Sequence, residues 1–189
     1  MSTRENRLPI PEFVPQNAAP EEIMKHINEL VRQAGGGDAH AFAILYEMIY
    51  QDLYRFALYT LHHTQDAEDA VSEAVTDAFA QIHTLRDASA FKSWMFRILT
   101  AKCSRRIRQY MNRESALDES MPDSAQETDE KLDVRRAFAS LPDEDRLILS
   151  MNLFAGYSSQ EIAGQLGMNA NTVRSRQSRA LKKLEQLLS

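Results

Sequence analysis

The stretch from Gly156 to Arg179, GYSSQEIAGQLGMNANTVRSRQSR, carries in order the signals that a helix-turn-helix needs. Ser158, with Glu161 three residues later, predicts a capping box at the start of a short helix. Gly167 suits the left-handed residue that ends such a helix, and Asn169 can cap the helix that follows. The sequence therefore predicts two short, separately capped helices joined by a tight turn.

The second of these helices is predicted to have one apolar and one basic face. Val173, Ala180, Leu181 and Leu184 recur at helical spacing and predict the buried side. Short polar side chains near the start and cations further along are typical of a recognition helix that binds double-stranded DNA. The predicted DNA contacts are Asn171, Thr172, Arg174, Ser175, Arg176, Ser178, Arg179, Lys182 and Lys183. The alternative is a pair of packed helices with a solvated basic face.

The composition favours an all-α protein. The 189 residues include 43% hydrophobic residues but only six glycines and six prolines. The single cysteine, Cys103, excludes an internal disulfide, and the five histidines lack ligand spacing, so we expect no metal and no cofactor. No run approaches the ~20 apolar residues of a membrane span, and no signal peptide opens the chain. A cytoplasmic protein without membrane insertion is expected.

The formal net charge of −5 conceals a strong segregation of charge. Between Gln65 and Phe79 there are five acids and no cation, and between Lys92 and Arg113 there are seven cations and no acid. Residues 114–133 contain eight acids and one lysine. Blocks of opposite sign indicate different partners at different places on the protein.

The pattern divides the chain into two helical domains and two irregular segments. Residues 1–20, with four prolines, are predicted to be a flexible extension, and helical periodicity then covers 21–111. Residues 112–131 have the composition of a flexible acidic linker, and a second helical domain follows over 132–189. The expected architecture is two small helical domains joined by that linker.

Several helix boundaries can be predicted within these domains. The apolar run over 41–62 has a possible break near Gln51 and Asp52. Thr64 or Asp66 is predicted to cap the next helix, which runs to about Thr84. Pro142 is well placed to start a helix of the second domain.

Taken together, these segments resemble a bacterial extracytoplasmic-function (ECF) RNA polymerase sigma factor. The resemblance covers nearly everything from Leu30 to Leu188. Its N-terminal part lies in Leu45-Tyr46, Leu53–Ala57, Asp66–Ala70 and Phe91–Ile98. Its C-terminal part lies in Leu141-Pro142, Tyr157-Ser158, Glu161–Ala163, Leu166-Gly167, Thr172–Arg176 and Arg179-Ala180. Each piece is weak alone, but this order and spacing are specific.

The resemblance implies a protein without catalytic residues that binds core RNA polymerase and promoter DNA. The first domain resembles sigma region two, whose acidic helix docks on the coiled coil of the polymerase beta-prime subunit. The residues implied in that role are Asp66, Glu68, Asp69, Glu73 and Asp77. Ser72 and Val75 depart from the Gln and the aromatic residue often found in this helix. The second domain resembles region four, which implies contact with the polymerase beta flap.

The resemblance also divides promoter recognition between the domains. The loop Arg86–Ala90 would capture a flipped base of the minus-ten element, and cations that follow would hold phosphates. The implied minus-ten set is Arg86, Asp87, Ala88, Ser89, Lys92, Arg97, Lys102, Arg105 and Arg106. The recognition-helix residues would contact the minus-thirty-five element, with Asn171, Thr172, Ser175 and Arg176 near bases and Arg174, Arg179, Lys182 and Lys183 near phosphates.

Three alternatives stay open at this stage. A stand-alone helix-turn-helix regulator would explain the second domain but leaves the acidic helix without a role. The linker either imitates RNA in the polymerase channel or is a plain solvated spacer. Trp94 either stacks on a base or anchors its helix in the core. An anti-sigma factor is expected as a further partner, by resemblance alone.

Overall fold

The computed structural model describes residues 20–112 and 129–188, so the predicted extension and most of the predicted linker lie outside the described residues. These two ranges contain nine α-helices, two short 3-10 turns and no β-strand. The helices are α1 (Pro20–Gly35), α2 (Ala39–Glu47), α3 (Tyr50–Leu61), α4 (Thr64–Gln81), α5 (Phe91–Asn112), α6 (Asp129–Ala139), α7 (Asp143–Leu153), α8 (Ser159–Leu166) and α9 (Ala170–Leu188). The predicted all-α class is confirmed.

Helices α1 to α5 form the first block around an aromatic and aliphatic core. Phe56 of α3 and Phe96 of α5 are completely buried, and their ring centroids lie 5.5 Å apart in an edge-to-face arrangement. Trp94 is partly buried against this core, with its ring centroid 6.3 Å from that of Phe91. Two 3-10 turns, Ile82–Thr84 and Ala88–Ala90, connect α4 to α5.

Three local predictions in the first block need correction. The break in the aromatic run lies at Met48 and Ile49 rather than at Gln51 and Asp52, because Ile49 leaves helical geometry and is buried. Asp52 instead occupies the first turn of α3, where the helix dipole favours an acid. The polar pair therefore lies in the first turn of α3, directly after the break.

The cap and the end of α4 also differ from the prediction. His63, rather than Thr64 or Asp66, is the N-cap, and its Nδ1 accepts a 3.3 Å hydrogen bond from the Asp66 backbone N–H. The α-helix ends at Gln81, and the chain reaches Thr84 through a 3-10 turn. An imidazole nitrogen satisfies the free N–H of the first turn as a hydroxyl or a carboxylate would.

The second block, α6 to α9, contains the predicted helix-turn-helix. Ser158 and Glu161 form the reciprocal capping box at the start of α8, and Gly167 ends that helix in the left-handed conformation, with φ at 67°. The Asn169 side chain accepts a 2.8 Å hydrogen bond from the Asn171 backbone N–H at the start of α9. Pro142 precedes α7 as its N-cap residue. The capping residues of these helices are therefore found where the sequence predicts them.

The two blocks pack against each other, which the sequence does not predict. Helices α6 and α7 contact α3, and α7 also contacts α5. The ring of Tyr59 on α3 lies 5.0 Å from that of Phe138 and 5.3 Å from that of Phe154, measured between centroids. The Arg146 guanidinium donates a 3.2 Å hydrogen bond to the Thr60 carbonyl across the interface. The interface is therefore both aromatic and hydrogen-bonded.

Across the described ranges, no helix combines the length and the apolar character needed to cross a bilayer.

Candidate nucleic-acid and partner interface

The exposed face of α9 contains most of the predicted recognition residues. Thr172, Ser175 and Arg179 are exposed along this face, while Val173 on the opposite side is completely buried. The predicted residues that the structure leaves exposed are Asn171, Thr172, Arg174, Ser175, Ser178, Arg179, Lys182 and Lys183. A helix held by one apolar face and carrying polar and cationic side chains on the other fits the DNA major groove.

Arg176 differs from the other recognition residues because its charge is paired within the protein. Its guanidinium lies 2.8 Å from a carboxylate oxygen of Glu144 and 2.9 Å from one of Asp145, both in the first turn of α7. Only 27% of its side chain is exposed. This double ion pair links the recognition helix to α7, so Arg176 positions α9 in the structure.

The predicted minus-ten loop forms one wall of a cavity of about 440 Å³. Arg86 lines it and is exposed, whereas Ala88 is buried beneath the turn. The Asp87 carboxylate accepts hydrogen bonds from the Ser89 hydroxyl at 2.7 Å and from the Ser89 backbone N–H at 2.9 Å. These bonds lower the pKa of Asp87 and hold the turn in shape.

The opposite wall of this cavity belongs to α1, a helix that no local sequence signal assigns to the site. Asn28 and Arg32 line it, together with Gly35 and Gly36 near the end of α1. A Cβ added at Gly35 would lie 3.5 Å from the Cα of His83, which is ordinary van der Waals contact. Only tertiary packing places Asn28 beside residue 86, so no local sequence signal indicated it.

The predicted DNA-binding cations of α5 differ in whether they are free to contact phosphates. Arg97 is exposed, but Lys92 is buried and its ammonium lies 2.8 Å from the Asp52 carboxylate. Arg105 and Arg106 pair with Glu73 at 2.6 Å and 2.9 Å. Lys102 is mostly buried and pairs with Asp77. Several cations predicted to hold phosphates therefore neutralise acids of the neighbouring helix in this arrangement.

The predicted polymerase-binding acids of α4 likewise divide into those that are paired within the protein and those that are exposed. Burial alone would raise the pKa of Glu73, but Arg106 and Arg105 outweigh burial and lower that pKa. Asp66 accepts a hydrogen bond from the Tyr110 hydroxyl. Glu68 and Asp69 are exposed, and within the described ranges neither has a hydrogen-bond or ion-pair partner. These two acids are the members of the set that can meet a partner directly.

The single cysteine of the chain takes no part in these surfaces. Cys103 of α5 is completely buried, and burial raises the pKa of its thiol to about 12. A thiol with so high a pKa is a poor nucleophile and a poor metal ligand at neutral pH. In the part of the chain that the structure describes, no group of three or more histidine, cysteine, aspartate or glutamate side chains could hold a metal ion.

Two protein-family models match this chain, one in each block of helices. Residues 45–113 match the model for sigma-70 region 2, and residues 131–184 match the model for sigma-70, region 4. The ECF RNA polymerase sigma factor SigM of Mycobacterium tuberculosis is 32% identical over 163 residues, covering 85% of this chain and 83% of SigM. The RNA polymerase sigma factor SigV of Bacillus subtilis is 30% identical over 135 residues, covering 70% and 81% of the two chains.

Solved structures show the same architecture. The chain resembles the sigma factor RpoE of Bartonella quintana, solved in complex with the anti-sigma factor NepR, with a TM-score of 0.60 and 25% identity over 78% of this chain and 96% of RpoE. It also resembles CnrH, solved with the cytosolic domain of CnrY, with a TM-score of 0.58 and 22% identity over 86% of this chain and 97% of CnrH. The second likeness concerns the fold alone.

Both sigma-70 regions occur in one chain, so a stand-alone helix-turn-helix regulator is not favoured. Because it contains both sigma-70 regions and shares 32% sequence identity with SigM along most of both chains, the protein belongs to the ECF RNA polymerase sigma factors and acts in transcription initiation.

Proposed function

We propose that this sigma factor binds core RNA polymerase and recognises a promoter through two separate surfaces, the exposed face of α9 and the cavity between α1 and the loop Arg86–Ala90. The observation that carries the proposal is the exposed, polar and cationic face of α9 behind a fully buried Val173. An exposed cationic face supplies the salt-dependent attraction to DNA phosphates. No catalytic residue is needed for this role.

At the minus-thirty-five element, α9 would enter the major groove. Thr172 and Ser175 are short and exposed, which suits contacts with base edges. Arg179 and the two lysines Lys182 and Lys183 lie further along the helix, where they suit phosphates. Arg176 would act by positioning α9 against α7, since its guanidinium is engaged by Glu144 and Asp145.

At the minus-ten element, the cavity of about 440 Å³ would receive a flipped base. Taking a base out of the stack costs a few kcal/mol, and contacts in a pocket offset that cost. Asn28 offers an amide that can hydrogen-bond a base edge. Arg86 and Arg97 are exposed cations of the predicted minus-ten set that form no ion pair in the described ranges, so they suit the phosphates nearby.

Binding both elements at once requires the two blocks to move apart. The minus-ten and minus-thirty-five elements lie about 25 base pairs apart, as their positions state, and this is roughly 85 Å at ~3.4 Å per base pair. The chain between Asn112 and Asp129 is long enough to cover about 55 Å when extended. The hydroxyls of Thr60, Thr100 and Ser150, on three helices that meet where the blocks pack, are buried without a hydrogen-bond partner in the described ranges, and unsatisfied hydroxyls weaken the packed state.

The partners we propose are core RNA polymerase, through its beta-prime coiled coil and beta flap, and promoter DNA. An anti-sigma factor is a third proposed partner, and it is supported by the likeness to RpoE, whose structure holds the anti-sigma factor NepR. We propose a cytoplasmic location and a role in stress response, in keeping with the family.

The deciding experiment is co-elution of the full-length protein with bacterial core RNA polymerase on a sizing column, followed by promoter-dependent transcription in vitro. The same run with a chain that starts at Glu21 shows whether the first 20 residues affect binding. We expect a stable complex that starts transcription. Failure of both forms to bind core polymerase, while duplex DNA is still bound, would overturn the proposal in favour of a stand-alone regulator.

A further inference from the structure

A row of residues on α1 connects the start of this helix with the cavity beside the loop Arg86–Ala90. Asn28, Val31 and Gly35 line the cavity at helical spacing along α1. Met24 continues this row one turn nearer to the start of the helix, and it is 37% exposed. An exposed thioether in line with the cavity offers an apolar contact to a chain that lies along α1.

The chain that precedes α1 is long enough to reach the cavity. Residues 1–19 lie outside the described residues, and α1 begins directly after them at Pro20. At 1.5 Å per residue, the cavity residues from Asn28 to Gly35 lie about 12 to 23 Å along α1 from its start. Phe13 precedes Pro20 by seven residues, which cover up to about 23 Å when extended. A chain that folds back along α1 therefore brings the Phe13 ring to the cavity.

The pair Glu12-Phe13 resembles in its chemistry the nucleotide that the cavity is proposed to receive. A phenyl ring is flat and aromatic and no larger than a base, so a cavity of about 440 Å³ accepts it. The neighbouring carboxylate has the negative charge of a phosphate, and Arg86 is an exposed cation at the cavity without an ion pair in the described ranges. Pro11 and Pro15 flank the pair and restrict its backbone, which lowers the entropy cost of docking.

We propose that, before promoter DNA binds, the N-terminal segment of this chain occupies the cavity, with Phe13 in the place of the flipped base and Glu12 against Arg86. The inference rests on the proposed function, since it gives the minus-ten cavity a competitor for the same base. A segment of the same chain has an effective concentration of about millimolar, so weak contacts are sufficient for docking. The first residues of the chain thereby inhibit minus-ten recognition until the promoter strand displaces them.

Photo-crosslinking in the full-length protein tests the contact itself. The photoreactive analogue p-benzoylphenylalanine is placed at Phe13 and, in a control sample, at Thr3 near the start of the chain. After irradiation, mass spectrometry is expected to find the Phe13 probe attached within residues 24–36 or 86–90 of the same molecule, and the Thr3 probe attached there much less. Attachment to other parts of the protein, or mainly to a second copy of the chain, would overturn the inference.

The affinity of the full-length protein for a labelled single-stranded minus-ten oligonucleotide tests the competition. Phe13→Ala is expected to bind about fivefold more tightly than the wild type in fluorescence anisotropy, because a larger fraction of the molecules then has an open cavity. Glu12→Gln should tighten binding about twofold, while Glu5→Gln, which removes an acid further from α1, is the matched control and should bind as the wild type does. Equal affinity of the wild type and Phe13→Ala would contradict the inference.

The two measurements separate this inference from the proposed function. If the Phe13 probe attaches to the cavity and excess oligonucleotide prevents the attachment, both are supported. If the oligonucleotide binds but the probe attaches elsewhere, the inference is wrong and the proposed function stands. If the probe attaches to the cavity and the oligonucleotide neither binds nor reduces the attachment, the segment docks there, but the proposed role of the cavity at the minus-ten element is wrong.

Discussion

The hydroxyl of Tyr157, just before α8, donates a 2.7 Å hydrogen bond to the backbone carbonyl of Ser93 in the first turn of α5. The two residues belong to different sigma-70 regions, so this bond ties the helix-turn-helix block to the block of α1–α5. Burial raises the pKa of Tyr157, which keeps the phenol protonated and able to donate at neutral pH. The packed arrangement thus has a specific hydrogen bond as well as apolar contacts.

Removing this hydroxyl should loosen the packing of the two blocks. Tyr157→Phe keeps the buried ring and loses the bond to the Ser93 carbonyl, so we expect a free energy of unfolding lower by about 1 kcal/mol. Urea denaturation measures the difference. DNA binding by the exposed face of α9 should stay unchanged, because Tyr157 is buried. An unchanged free energy of unfolding would show that the bond does not hold the blocks together.

Replacing Arg146 should lower the free energy of unfolding more than replacing any exposed arginine of the second block. Its guanidinium is nearly buried and donates to the carbonyls of Leu141 at 2.7 Å and Thr60 at 3.2 Å. Arg146→Met leaves these acceptors without a charged donor, and we expect a loss of about 2–3 kcal/mol in the free energy of unfolding. The control is Arg136→Met on α6, where the arginine is 61% exposed and the loss should be near zero. Equal losses in urea denaturation would contradict this prediction.

Arg176 and Arg179 should behave differently although both lie on the recognition helix. Arg179→Ala removes an exposed cation, so the slope of log K against log salt for duplex DNA should fall by about one. Arg176→Ala removes the pairs to Glu144 and Asp145 and should mainly lower the thermal unfolding midpoint. Salt titrations of DNA binding and thermal melts of both variants distinguish the two roles. A reversed pattern would place Arg176 at the phosphates.

The capping box of α8 should make the stability of the helix-turn-helix depend on acid. The backbone N–H and the hydroxyl of Ser158 hold the pKa of Glu161 below its ordinary value. A lowered folded-state pKa contributes stability above the unfolded value near 4.5, and this contribution is lost as the pH falls through the folded value. Thermal unfolding midpoints of the wild type and Glu161→Gln should therefore converge in acid and differ most at neutral pH. Parallel pH profiles would contradict this linkage.

The cavity between α1 and the loop Arg86–Ala90 offers a separate test on α1. Asn28→Ala should weaken binding of a single-stranded minus-ten oligonucleotide about fivefold, because the amide that faces the cavity is lost. Lys25→Ala, which removes an exposed cation of the same helix, is the control for a general electrostatic effect. Equal weakening by both variants, measured by fluorescence anisotropy, would mean that charge rather than the cavity binds the strand.

The parts of the fold that sequence predicts well are those whose cause is local. Ser158, Glu161, Gly167 and Asn169 act on backbone groups within four residues, so their spacing alone predicts the helix-turn-helix, and the structure confirms it. The helix break lies at Ile49 rather than at the polar pair Gln51 and Asp52, because burial against other helices rather than local polarity determines where the chain leaves the helix.

The sequence by itself determined the all-α class, the capped helix-turn-helix and the segregation of acidic and basic helices, because helix periodicity and capping depend on near neighbours along the chain. Only the tertiary structure decided which charged side chains form ion pairs within the protein. Arg176 meets Asp145 across 31 positions, and Arg106 meets Glu73 across 33. Such pairs depend on how helices cross in space, and the same crossings leave Glu68 beside Tyr50 without an ion pair in the described ranges and bring Asn28 to the loop Arg86–Ala90.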